Sequence, residues 1–213
     1  MLAPLTLGSI FIGWNFYLPS RNKLKNSDHQ QATKCIALTF DDGPAGYTVP
    51  ILDILKQENV PAAFFLIGKN IKGNEETIRR ILAEGHTAGN HSFNHGFNFD
   101  WQSAAKMQEE LQQTNAAIEA ISGSPVTLFR PPYGVTNPNL AKAIRNSRMQ
   151  SIGWSLRSMD TVAKDKNQLL DKILAKVQPG DIILLHDRCA VTAAVLPELI
   201  TALKKRGFSF ATL

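Results

Sequence analysis

The feature that most limits the possible folds of this 213-residue chain is a regular alternation of short apolar runs with amphipathic helical patterns. The apolar runs are too short for helices and stop at turn residues, so they predict buried strands. The predicted strands cover residues 34–40, 62–67, 126–129, 151–156, 181–185 and 208–211, with one further strand end before Asn90. Helical patterns lie between them, at about 51–55 and at 75–83, 103–121, 139–146, 168–177 and 193–205. This alternation predicts an α/β domain of about seven parallel strands, as an open sheet or as a closed or distorted barrel.

Residues 1–32 stand apart from this alternation. Residues 2–18 carry no charged side chain, and their number is close to the roughly 17–25 residues of a membrane-spanning helix. This favours a signal sequence or membrane anchor, although Pro4, Gly8 and Gly13 weaken the helix and no basic residue precedes it. The alternative is an apolar segment packed on the domain. The polar stretch 21–32 is typical of a linker, so we expect the domain to cover residues 33–213.

The charge distribution argues against a nucleic-acid partner. The net charge is +5, but four basic residues and one acid fall between Arg21 and Lys34, which leaves the rest at only +2. Nucleic-acid binding requires a concentrated basic stripe. The two cysteines, Cys35 and Cys189, are too few for a disulfide framework, and their spacing does not suggest zinc ligation.

Polar residues follow the predicted strands, where parallel α/β folds gather their catalytic groups. Asp41 and Asp42 follow the first strand, in the sequence Thr-Phe-Asp-Asp-Gly-Pro. Adjacent carboxylates repel each other unless a cation or an arginine lies between them. Taken alone, Asp-Gly-Pro would indicate only a turn.

His91 and His95 follow the third strand end. Histidines four residues apart lie on one face of a helical turn, so both imidazoles could reach one cation. Two surface histidines are the alternative, because such a pair is a weak signal by itself. With Asp41 or Asp42, the pair would form a metal site of two histidines and one carboxylate, which leaves the other aspartate free as a base.

Three later strand ends also carry polar residues. Arg130 begins the sequence Arg-Pro-Pro-Tyr-Gly, whose prolines favour a rigid loop with amides facing an oxyanion, although an ordinary proline turn would look the same. Asp160 follows the next strand. His186 follows the strand after that and could protonate a leaving amine or alkoxide, with a nearby aspartate to set its tautomer.

The motifs TFDDGP, HSxxH, RPPYG and LLH, in this order, resemble those of the carbohydrate esterase family 4 polysaccharide deacetylases, which share the NodB homology domain. The resemblance covers nearly everything from Lys34 to Leu213. It implies a distorted (β/α) barrel that holds a divalent metal, usually zinc, with Co²⁺, Mn²⁺ and Ni²⁺ as alternatives. The implied partner is an acetylated glycan. We expect a monomer that is secreted, or associated with the membrane through the N-terminal segment, and that faces the cell wall.

By motif position, the resemblance implies that Asp42, His91 and His95 bind the metal. Asp41 would then be the general base, and Arg130 would tether it.

The remaining roles follow from the later motifs of the same resemblance. The backbone amide of Tyr133 would help to hold the oxyanion, and Leu184 would line a pocket for the acetyl methyl group. His186 would be the general acid, and Asp160 would orient it and balance its charge.

One stretch departs from the family pattern, which usually reads Asp-x-x-Asp-Trp where this chain has Arg157 to Thr161. Arg157 stands where the family has an acid, and Thr161 stands where a tryptophan walls the substrate groove; Asp160 keeps its acid. We expect hydrolysis of N-acetylglucosamine in peptidoglycan or a chitin-like glycan. The alternatives are a deacetylase of O-acetylated xylan, a metal hydrolase of non-glycan amides, and a catalytically silent glycan-binding protein on the same fold.

Overall fold

The computed structural model describes residues 34–213 as eight strands, six α-helices and four single turns of 3-10 helix. The strands are β1 (Lys34–Gly43), β2 (Ala62–Leu66), β3 (Thr87–Asn90), β4 (Leu128–Phe129), β5 (Gln150–Ser151), β6 (Leu156–Arg157), β7 (Ile182–His186) and β8 (Phe208–Phe210). The helices are α1 (Thr48–Glu58), α2 (Glu75–Ala83), α3 (Ala104–Ser122), α4 (Pro138–Asn146), α5 (Lys166–Leu174) and α6 (Ala190–Lys205). The 3-10 turns are Gly68–Asn70, Phe99–Trp101, Pro132–Gly134 and Asp160–Val162.

All strand pairs in the described sheet are parallel, as the alternation predicts. Seven strands follow the order β5-β4-β3-β2-β1-β7-β6, and β8 pairs with the first residues of β1. β1 lies at the centre and is buried from Ile36 onward, because helices cover the sheet. The largest apolar core joins β1, β2 and β7 to α1, α2 and α6.

The sheet is curled into a distorted barrel. β5 and β6 lie at opposite ends of the strand order, yet only residues 152–155 separate them in the chain. The five Cα–Cα steps from Ser151 to Leu156 span at most about 18 Å, so the two edges of the sheet must approach each other. The prediction of a distorted barrel is therefore confirmed.

The prediction of a single strand over residues 151–156 is wrong, because this stretch is divided between the two edges. β5 pairs with β4, whereas β6 pairs with β7. Between them, the carbonyls of Ile152 and Gly153 accept hydrogen bonds from the Arg130 guanidinium (3.2 and 2.8 Å). A buried side chain thus takes the carbonyls that a continuous strand would offer to a neighbouring strand.

The helices begin where the sequence provides capping side chains. Ser103, Asn137 and Asp165 each accept a hydrogen bond from a backbone amide in the first turn of α3, α4 and α5. The predicted helices are confirmed with shifts of a few residues at their ends. Within residues 34–213, no helix has both the length and the apolar character needed to cross a bilayer. The predicted signal or anchor segment and the linker lie outside the described residues.

Candidate active site

The polar residues predicted at the strand ends meet around one pocket of about 240 Å³ at the carboxyl edge of the sheet. Asp41 on β1 and His186 on β7 are register partners, so the two central strands bring a carboxylate and an imidazole side by side. The pocket is lined by Asp41, Asp42, His91, His95, Pro131, Tyr133, Gly134, Trp154, Arg157, Thr161, Leu184, His186 and Arg188.

Asp42, His91 and His95 form a compact cluster whose ligand atoms all lie within 4.8 Å of one another. Asp42 Oδ1 is 3.6 Å from His91 Nε2 and 3.4 Å from His95 Nε2. Burial alone would raise the pKa of Asp42, but the neighbouring His91, Arg188 and His95 lower it. Burial lowers the pKa of His95 to about 4, so its imidazole is neutral at pH 7.

The hydrogen bonding of His91 shows that this cluster fits a cation. His91 Nδ1 lies 2.7 Å from the carbonyl oxygen of Arg130. A carbonyl can only accept, so Nδ1 carries the proton and Nε2 of the neutral ring presents a lone pair. His91 Nε2 and His95 Nε2 thus face the same oxygen of Asp42. Two nitrogens and one oxygen form a donor set that suits zinc and related transition metals.

The prediction that His91 and His95 share one face of a helical turn is wrong, although the two rings do meet. Both residues lie in an irregular loop after β3, and their ring centroids are 4.8 Å apart. Ser92 and His95 have φ values of 65° and 50°, which no α-helix accommodates. Asn90 and Ser92 hold the loop, because Asn90 Oδ1 accepts from the Ser92 amide and Ser92 Oγ accepts from the His95 amide.

Asp41 is held by Arg130. The Arg130 guanidinium donates to Asp41 Oδ1 (2.7 Å) and to Thr39 Oγ1 (2.8 Å). Arg130 is fully buried and lies over the ring of Phe65, with 4.1 Å from Cζ to the ring centroid. Asp41 Oδ2 faces the cluster of Asp42, His91 and His95 and lies 3.7 Å from His91 Nε2.

His186 is oriented by Asp160 and not by Asp187, its neighbour in the sequence. Asp160 Oδ1 lies 2.8 Å from His186 Nδ1, while Asp160 Oδ2 accepts from the His186 amide and from Thr192 Oγ1. Burial opposes the charge on His186, but Asp160 outweighs it and raises the pKa of the imidazole. Asp187 instead accepts a hydrogen bond from Thr48 Oγ1 (2.6 Å), and burial raises its pKa to about 7.

Tyr133 and Leu184 both line the pocket. Leu184 is buried and projects an apolar group into the pocket from β7. The ring of Tyr133 is half exposed and packs 4.8 Å from the ring of His95 and 6.1 Å from that of Phe97.

The two substituted positions of the family pattern also lie at the pocket. Arg157 ends β6, and Thr161 lies in the following 3-10 turn. A guanidinium and a small hydroxyl side chain thus replace the acid and the aromatic wall on this side of the pocket.

Sequence reasoning missed Arg188, which donates from Nε to Asp42 Oδ2 (2.6 Å). It thereby leaves Asp42 Oδ1 for the two imidazoles. The available signal was its position two residues after His186, at a strand end already assigned to the site. Thr39 and Thr192 were also missed, because nothing in an isolated threonine marks its hydroxyl as the partner of a distant charged group.

The loops around the pocket are unusual in their backbone conformation. The described residues include seven non-glycine residues with positive φ. Five of them, Asp42, Ser92, His95, Tyr133 and Met159, lie in the loops that carry the site residues. The left-handed region is costly for side chains other than those of Asn, Asp and Gly.

Comparison with known proteins agrees with this geometry. A family model described as polysaccharide deacetylase matches residues 28–152. The chain is 36% identical over 198 residues to the peptidoglycan-N-acetylglucosamine deacetylase PgdA of Listeria monocytogenes, covering 92% of this chain and 42% of that protein. It is 36% identical over 185 residues to the peptidoglycan-N-acetylmuramic acid deacetylase PdaA of Bacillus subtilis, covering 84% of this chain and 70% of that protein. The chain thus spans less than half the length of the Listeria relative.

A solved structure of similar shape is described as a pseudoenzyme. It is a carbohydrate esterase 4 family protein from Bacillus anthracis, which superposes with a TM-score of 0.79 at 31% identity. The match covers 86% of this chain and 65% of that one.

Proposed function

Because the chain belongs to the polysaccharide deacetylase family, we propose that it is a metal-dependent hydrolase that removes acetyl groups from an amino-sugar polymer. The substrate we propose is N-acetylglucosamine in peptidoglycan or in a chitin-like glycan. The observation that carries the proposal is that Asp41 and His186 lie side by side on neighbouring strands, next to the cluster of Asp42, His91 and His95. A base and an acid on neighbouring strands, next to a cation site, are the groups that amide hydrolysis by water requires.

Asp42, His91 and His95 are the proposed metal ligands. A divalent cation held there would supply Lewis acidity, which polarises an acetyl carbonyl and makes water a better nucleophile. We propose zinc, because the donor set of two imidazoles and one carboxylate suits it, with Co²⁺, Mn²⁺ and Ni²⁺ as alternatives. Metal analysis of the purified protein, followed by titration of the chelated protein with each ion, tests this choice.

Asp41 is the proposed general base. Its Oδ1 is occupied by Arg130, so Oδ2 accepts the proton of the attacking water. The backbone amide of Tyr133 is proposed to donate to the developing oxyanion, and Leu184 to contact the acetyl methyl group.

His186 is the proposed general acid. Its Nδ1 is bonded to Asp160, so Nε2 holds the proton that passes to the leaving nitrogen. The raised pKa of His186 favours the protonated imidazole, which this step requires.

Acetate release tests the activity directly. The metal-loaded full chain is incubated with acetylated chito-oligosaccharides, peptidoglycan and acetylxylan, and the released acetate is measured. We expect acetate from at least one of the two N-acetylated glycans. Acetate from acetylxylan alone would favour the alternative of a deacetylase of O-acetylated xylan.

Two substitutions separate the base from the metal ligands. We expect Asp41→Asn to retain the metal and to lose about 10²- to 10⁴-fold in turnover, because an amide cannot accept the water proton. We expect His91→Ala to lose both metal and turnover. Near-normal turnover in Asp41→Asn would contradict its assignment as the base.

A silent glycan-binding protein is the second candidate. The observation that favours it is Thr161, which offers no aromatic surface to a sugar ring at the pocket. Bound metal, no acetate released from any substrate of the panel, and calorimetric binding of one of the panel's glycans would together decide for this candidate.

We further propose that residues 33–213 form the catalytic domain, that it acts as a monomer, and that it faces the cell wall. Light scattering of the purified full chain measures its molar mass in solution and so tests whether it is a monomer. Fractionation of cells that express the protein tests the location, with recovery in the cytosol alone as the contrary result.

A further inference from the structure

We propose, on the basis of the deacetylase function proposed above, that Arg157 determines specificity by binding a carboxylate of the substrate. The site would then take an acetylated amino-sugar glycan that carries a carboxylate on the acetylated ring or on the ring next to it.

The position of Arg157 gives it access to a bound sugar. Arg157 on β6 is the register partner of Leu184 on β7, and both residues line the pocket. His186 lies two residues further along β7, about 7 Å from Leu184 along the strand. The guanidinium at the end of a flexible side chain can therefore lie near the ring whose nitrogen His186 protonates.

Arg157 is exposed, and no side chain among residues 34–213 forms a hydrogen bond or an ion pair with its guanidinium. The other two guanidinium groups of the site are each committed to a carboxylate. Arg130 donates to Asp41 at 2.7 Å. Arg188 donates to Asp42 at 2.6 Å.

The charge balance of the site follows from these pairs. The two carboxylates that line the pocket, Asp41 and Asp42, each have their own arginine, and Asp160 pairs with His186. Arg157 therefore contributes a positive charge that has no counter-ion among residues 34–213. A divalent cation in the ligand cluster would add further positive charge. The pocket therefore favours an anionic substrate group over a neutral one.

The chemistry of guanidinium selects the type of anion. Its planar fork donates two parallel hydrogen bonds to a carboxylate. In amino-sugar polymers, a carboxylate can come from an acidic ether substituent on the acetylated ring or from a uronic acid on the neighbouring ring. The Bacillus subtilis relative, whose name specifies N-acetylmuramic acid, acts on a ring of the first kind.

The test compares substrates that differ only in this charge. The full chain and its Arg157→Gln variant are assayed on oligosaccharides of alternating N-acetylglucosamine and N-acetylmuramic acid with free carboxylates, and on their methyl esters. A second pair alternates N-acetylglucosamine with glucuronic acid or its methyl ester. The measured quantity is the ratio of kcat/KM for each acid to that for its ester, and this ratio is independent of the fraction of folded enzyme.

We expect a ratio of about ten for one of the two pairs in the unmodified protein, the effect of one charge-assisted contact worth about 1.4 kcal/mol. The pair that shows it identifies the source of the carboxylate. We expect a ratio near one in Arg157→Gln. The control is Arg145→Gln, which removes the same charge from an exposed position outside the pocket lining and should keep the ratio.

A ratio near one for both pairs in the unmodified protein, or an unchanged ratio in Arg157→Gln, would overturn the assignment. Calorimetric binding of the same pairs to the Asp41→Asn variant gives the equivalent ratio of Kd values without turnover. If no acetate is released from any glycan, the deacetylase function fails. The binding ratio then still decides whether Arg157 selects the acid.

Discussion

Replacing Arg130 by methionine should strongly destabilise the fold, because the guanidinium satisfies four partners in a fully buried position. It donates to Asp41 Oδ1 and Thr39 Oγ1 and to the carbonyls of Ile152 and Gly153. Removing one partner of a buried ion pair costs about 3–5 kcal/mol, because the other charge stays buried without compensation. Domains of this kind have a total stability of only about 5–15 kcal/mol.

Urea unfolding followed by circular dichroism, with metal removed by a chelator, measures this loss. A change of about 4 kcal/mol with a slope of about 2 kcal/mol per molar urea lowers the midpoint by about 2 M. Methionine preserves an unbranched apolar stem over Phe65, so the change reports mainly the loss of the guanidinium. If the variant does not fold, Arg130→Lys provides the measurement. Lysine keeps the positive charge but not the planar guanidinium with its several donors, so we expect a smaller loss of stability in urea unfolding.

A double-mutant cycle isolates the ion pair from the other contacts. Asp41→Asn in the Arg130→Met background removes the uncompensated charge, so it should recover part of the lost stability. A loss below about 1 kcal/mol in Arg130→Met, or no coupling between the two positions, would refute the reasoning.

Two further substitutions test the acid and the packing of the site. Asp160→Asn removes the partner that raises the pKa of His186, so we expect the high-pH limb of the kcat/KM profile to move to lower pH. An unmoved limb would contradict the role of His186 as the acid. Gly43→Ala would place a Cβ 2.2 Å from Asp187 Oδ2, so we expect a loss of about 1–3 kcal/mol in urea unfolding. Gly46→Ala, whose Cβ meets no atom within 4 Å, is the matched control and should change stability little.

The sequence permitted prediction of the fold class and of where the site would form, because both depend on repeated local patterns. Apolar runs between amphipathic helices predict parallel strands, and polar residues after those runs predict a site at the carboxyl edge. Asp42, His91 and His95 do lie within ligand distance of one another. Their roles, like those of Asp41 and His186, stay predictions until the variants above are measured.

The two errors have different physical causes, one long-range and one local. Residues 151–156 have the composition of one strand, but Arg130 accounts for two of the carbonyls in that stretch, and the barrel closes there instead. The spacing of His91 and His95 fits a helix, but Asn90 and Ser92 fold the loop differently. The Arg130 contacts join residues more than twenty positions apart, so no local pattern could reveal them. The bonds of Asn90 and Ser92 span only two and three residues, and such side-chain bonds to the backbone compete locally with a helix.

Four strained backbone positions around the pocket, at Ser92, His95, Tyr133 and Met159, lower the stability of the fold where the candidate site forms. A residue such as Met159 or Ser92 in the left-handed region costs about 1–2 kcal/mol, and glycine at either position would remove most of that cost. Random substitution scored by thermal unfolding alone should therefore find its gains around the pocket. Stabilising substitutions at these positions would therefore change the loop geometry of the candidate site while leaving the barrel intact.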